Sequence, residues 1–61
     1  MDLTVRKQIM AIRDSGETNM LAVNTVQAIA YREGFYELVV YLEEHRREYC
    51  TFILTGDTGE V

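Results

Sequence analysis

Side chains able to act as nucleophile, base or metal ligand are few in this chain: one histidine, His45, one cysteine, Cys50, four tyrosines and ten scattered carboxylates. A thiol and an imidazole cooperate only when they meet within hydrogen-bond reach. His45 and Cys50 are five residues apart, about 140° around a helix, so they do not share a face. Glu44, His45 and Glu48 form the one cluster worth weighing as a metal site, but neighbours 44 and 45 point about 100° apart where a site needs convergence. The run Glu43 to Glu48 (EEHRRE) reads instead as a solvated helix face, with Glu43 and Arg47 in the i, i+4 order that supports a helix. Neither Asp14 to Asn19 (DSGETN) nor Thr55 to Glu60 (TGDTGE) has the spacing of a calcium or phosphate-binding loop. No catalytic, cofactor or metal site is expected.

Thr25 to Leu42 carries a sharper pattern. Ile29, Ala30, Gly34 and Val40 fall where a helix-turn-helix places a buried apolar residue, a small residue, the turn glycine and a core valine. The recognition helix of that motif would present Tyr36, Glu37, Tyr41, Glu43 and Glu44, which offer phosphates no positive charge. The net charge of -4 opposes attraction to nucleic acid as well. A helix-turn-helix-like segment is therefore expected without a nucleic-acid partner. The alternative is a DNA-associated regulator in which Arg6, Lys7, Arg13, Arg32, Arg46 and Arg47 gather in three dimensions.

The elements that would position these groups are helical. Proline is absent, and Gly16, Gly34, Gly56 and Gly59 each follow a stretch of helical spacing and read as stops. A first helix is expected from Leu3 to Asp14, capped by Asp2, with Val5, Ile9 and Ile12 as its inward stripe. Met20 to Val23 is too apolar for a free loop and should pack down. Asn24 with Gln27 reads as a capping-box variant, with Val23 stapling onto Ala28, before a helix from Thr25 to Glu33 that turns Val26, Ile29 and Ala30 inward. Phe35, Leu38, Val39, Leu42, Tyr49, Phe52 and Ile53 keep helical spacing and predict one long final helix, a rod of roughly 30 Å. Tyr49 to Thr55 (YCTFILT) is also rich in strand-forming types, so a strand paired across subunits remains the alternative there. The expected architecture is all-α: a three-helix domain over residues 1–56 with a long C-terminal helix, then a flexible tail, residues 57–61.

Size bounds the rest. A chain of 61 residues buries only about 60% of its unfolded surface, and proteins this small usually add disulfides, a metal or a second subunit. A lone cysteine and a lone histidine leave self-association. The long rod exceeds what two shorter helices cover, so a partner is expected on it. The candidate oligomer interface is Leu3, Met10, Tyr36, Val40, Arg47, Cys50 and Leu54, a homodimer being the simplest form, alongside an unidentified protein partner. Acidic residues dominate from Glu33 to Glu60, whereas Arg6, Lys7 and Arg13 gather on the first segment, an asymmetry able to steer one copy onto another. No apolar run spans a membrane and no leader is apparent, so the expected compartment is the cytoplasm.

The strings IRDSG (from Ile12), TNM (from Thr18), VQAIA (from Val26), GFYELV (from Gly34), EEHR (from Glu43) and YCTFILTG (from Tyr49) are distinctive in combination. The chain resembles, from about Val5 to Gly56, a family of small proteins defined as a domain of unknown function in Firmicutes and their phages and prophages. That resemblance implies a cytoplasmic, phage-derived setting. It assigns no catalytic or binding role to any residue.

Overall fold

The computed structural model describes residues 1–55 and places them in α1 (Leu3–Ser15), α2 (Val23–Glu33), α3 (Tyr36–Glu44) and α4 (Arg46–Thr55). The described residues contain no strand, so the chain is helical where the strand alternative stood. The expected tail, residues 57–61, and the stops at Gly56 and Gly59 lie outside the described residues.

α1 forms much as its sequence dictates. Asp2 is extended and its carboxylate accepts the Thr4 N–H at 3.4 Å, while Val5, Ile9 and Ile12 are buried along one stripe. Gly16 ends the helix at φ +68°, a conformation that strains any residue with a Cβ, and its N–H returns to the Arg13 carbonyl at 3.2 Å. In the connector, the Asn19 side chain accepts the Leu21 N–H and the Asn19 carbonyl accepts the Ala22 N–H, both at 2.9 Å. This turn brings Met20 down against the core and delivers Val23 directly into α2.

The start of α2 corrects the capping expectation. Its N-cap is Ala22, which makes no side-chain bond, and Asn24 lies inside the helix. Starting early puts Val23 in helical register with the fully enclosed Val26. Burying a valine contributes about 1.5–3 kcal/mol against about 1 kcal/mol for a side-chain cap, so burial wins. Gln27 reaches across to α3 instead, donating to the Val39 carbonyl at 3.1 Å and to Glu43 Oε2 at 2.8 Å. Gly34, at φ +79°, closes α2 with paired bonds: its N–H to the Tyr31 carbonyl, and the Phe35 N–H to the Ala30 carbonyl at 2.8 Å.

The long final helix is not formed. His45, at φ −134° and ψ 42°, interrupts it and divides the segment into α3 and α4. Residues 43–48 are all exposed, so bending there sacrifices no apolar contact. Beyond the bend the gain is large: Tyr49 is completely enclosed, and its hydroxyl donates to the Met20 carbonyl at 2.6 Å. α1, with 13 residues, is about 20 Å long and cannot cover a straight rod of roughly 30 Å. The chain therefore folds its own second half back, and the premise of an uncovered rod fails for a concrete reason.

All four described helices feed one apolar cluster. Val5, Ile9, Ile12, Val23, Val26, Ile29, Ala30, Leu38, Leu42 and Tyr49 form its centre, with Phe35, Val39, Phe52 and Ile53 half-buried against it. No polar or charged residue is buried among the described residues. α3 packs on α2 and α1, and α4 packs on α3.

Candidate interaction surface

Helical spacing gives α3 two opposite characters. Leu38 and Leu42 face inward, while Tyr36 and Val40, one turn apart, stand 58% and 54% exposed. Val40 is therefore not the core valine that the helix-turn-helix pattern requires, because the inward face of α3 is filled by Leu38 and Leu42. With Tyr41 and the buried Val5 of α1, Tyr36 and Val40 form the apolar lining of an open groove of about 500 Å³. Among the described residues, Asp2, Glu37, Glu44 and His45 complete its margin, so three carboxylates and no lysine or arginine of the described residues border it.

The groove is braced from several directions. Tyr31 of α2 meets the Tyr36 ring edge-on, with centroids 5.8 Å apart, and Tyr41 lies against His45 at 5.1 Å. Gln8 of α1 joins α3 through both ends of its amide. Its Oε1 accepts the Leu38 N–H at 3.0 Å, and its Nε2 donates to Glu37 Oε1 at 2.8 Å. The first bond supplies a cap that α3 lacks locally, because Phe35 at its N-cap makes no side-chain bond. The second holds the Glu37 carboxyl below its ordinary range. The Tyr41 phenol is shifted upward, first by desolvation and then by the charge of Glu48.

Other candidate chemistry does not converge. His45 Nδ1 lies 3.9 Å from Glu48 Oε1 with both side chains largely exposed. Among the described residues no group of three or more histidine, cysteine, aspartate or glutamate side chains could hold a metal ion. A smaller cavity of about 160 Å³ lies between α1 and α2, lined in part by Ile12, Ile29 and Phe35. Two carboxylates at that cavity, Glu17 and Glu33, are both bonded by Arg32, at 2.7 and 2.9 Å. The Arg32 guanidinium holds the Glu17 carboxyl below its usual range, and these groups satisfy one another.

The seven residues expected at an interface are distributed as follows. Leu3 is 62% exposed on the first turn of α1, and Met10 lies farther along that helix, its Sδ 3.8 Å from an Arg13 nitrogen. Tyr36 and Val40 come together in the groove. Arg47 and Leu54 are exposed on α4, whereas Cys50 is half-buried against the core. Because the helix breaks at His45, Tyr36 and Val40 no longer continue into Arg47, Cys50 and Leu54 along one straight face. Sequence reasoning missed Gln8 as the residue that ties α1 to α3. It also missed the joining of Asp2 and Val5 to Tyr36, since no periodicity within one helix reports a neighbour on another.

No helix among the described residues is long and apolar enough to cross a membrane. No curated protein and no solved structure matches the chain. One family model, described as a domain of unknown function (DUF5049), matches residues 1–57, nearly the full length, and the chain belongs to that family.

Proposed function

We propose that this chain is a small non-enzymatic accessory protein that works by binding protein, associating with copies of itself and with a further partner in the cytoplasm. The observation that carries this reading is the groove: exposed Tyr36 and Val40 around a buried Val5 floor, with a polar margin. An apolar, aromatic centre inside a polar rim is the common anatomy of protein interfaces. A dimer is the smallest such assembly. The phage or prophage setting is supported by the family resemblance of the sequence strings. Light scattering across a dilution series tests the reading: the expected mass exceeds one chain at high concentration and falls toward one chain on dilution. A single-chain mass throughout refutes self-association.

The α2–Gly34–α3 corner favours a second reading, a DNA-associated regulator, because two helices joined through a glycine are what that motif requires. Against it, Glu37, Glu43 and Glu44 are exposed on α3 and repel phosphates. A duplex-DNA mobility shift that weakens with salt would favour this regulator over the accessory protein.

A further inference from the structure

Resting on the self-association proposed above, we infer that the groove of one copy receives the outer face of α1 from another copy. A groove bordered by Asp2, Glu37 and Glu44 selects an occupant that is apolar at its centre and positive at its edges. The chain carries such a surface. Val5, Ile9 and Ile12 turn inward on α1, so Leu3, Lys7 and Met10, at offsets of zero, four and seven, lie together on the opposite side. Leu3 is 62% and Met10 36% exposed, Lys7 is exposed beside them, and Arg13 reaches back over the Met10 sulfur at 3.8 Å. Asp14 is an acid at the far end of this face, one turn beyond Met10.

The alternative of groove on groove is disfavoured by charge, because a two-fold axis there would oppose Glu37 and Glu44 to their own copies. The α1 face and the groove adjoin each other, since Asp2 and Val5 at the start of α1 belong to the groove. A two-fold dimer can therefore make the face-to-groove contact twice, each copy giving α1 and receiving it.

Charge reversal separates the possibilities. The K7E/R13E variant makes the α1 face acidic against an unchanged acidic groove, and E37K/E44K makes the groove basic against an unchanged basic face. Each alone should run as a single chain where the wild type is a dimer, and an equimolar mixture should return to the dimer mass, because both reciprocal contacts are again of opposite sign. E37K loses the Gln8 bond, so E44K alone, checked for native helix content by circular dichroism, provides the second groove variant if the double variant does not fold. A wild-type dimer with variants that remain dimeric overturns this inference while leaving self-association standing, as does a mixture of monomeric variants that fails to recombine. A wild type that is one chain at every concentration overturns both. Capture of an unrelated basic helical peptide by a monomeric wild type would assign the groove to another protein and likewise overturn the inference.

Discussion

The helices before His45 and the helix after it are held by different means. All but one of the core's buried residues stand on α1, α2 and α3, spread along each, whereas α4 contributes Tyr49 alone and leaves Phe52 and Ile53 half-buried. Burial that is spread makes each contact one among many. Burial concentrated in one side chain makes the attachment of α4 depend on that side chain, its ring in the core and its hydroxyl on the Met20 carbonyl.

The comparison breaks most visibly at Tyr49 itself. Truncating a buried aromatic residue costs about 3–5 kcal/mol. A chain of 61 residues commands only about 3–9 kcal/mol in total. Tyr49→Ala is therefore expected to abolish or nearly abolish the cooperative urea transition followed by circular dichroism. Phe52→Ala, on the same helix but only half-buried, should cost about 1–2 kcal/mol, since roughly half of a full burial gain is at stake. Equal losses at the two positions would show that α4 is held along its length after all.

The same contrast explains what was legible in the sequence. Val5, Ile9 and Ile12, Val26 and Ile29, and Leu38 and Leu42 announce inward faces because each pair or triplet repeats within one helix. Asp2, Gly16 and Gly34 announce ends because their chemistry is local. The break at His45 was not legible, for Leu42 and Tyr49 are seven residues apart and fit an unbroken helix as well as a broken one. What selects the bend is tertiary: the Met20 carbonyl and the place of the Tyr49 ring in the shared core. Asn24 misled for a related reason, since its capping signal lost to the burial of Val23. The groove was half legible: Tyr36 read as outward and Val40 as either an interface residue or the core valine of a helix-turn-helix, while Gln8 and Asp2 joined α3 only through the fold.

A finer test keeps the Tyr49 ring and removes its hydroxyl. Tyr49→Phe leaves the Met20 carbonyl without that donor and should cost about 1 kcal/mol, a typical net hydrogen bond. Burial and then the neighbouring Cys50 push the Tyr49 phenol up to about 12 from an ordinary value near 10. The folded state thus favours the neutral phenol. This contribution is fully present below about pH 10 and is lost as pH rises toward about 12. Wild type should lose stability over that window more steeply than Tyr49→Phe, so the two urea midpoints should converge as the solution becomes alkaline. Parallel midpoints would mean that the hydroxyl is not sheltered.

The smallest effect is expected on the other side of the comparison, at Gln8, the α1 residue that caps α3. Gln8→Ala removes the acceptor of the Leu38 N–H, but that amide lies in the first turn of a helix held also by Leu38, Leu42 and the Gln27 bonds. Water can take part of the vacated place, so a loss of about 0.5–1 kcal/mol in urea unfolding is expected, the low end of a net hydrogen bond. A second readout distinguishes the lost bond from general loosening. Glu37 is held low chiefly by the Gln8 amide, so its carboxyl, followed by NMR titration, should move up toward the ordinary glutamate value in Gln8→Ala. A depressed folded value stabilises above the unfolded value, near pH 4.3, and is lost as pH falls through the folded one. The stability gap between wild type and Gln8→Ala should therefore narrow in acid. If Gln8→Ala instead costs as much as Tyr49→Ala, α3 too hangs on one side chain, and the distinction between spread and concentrated burial fails.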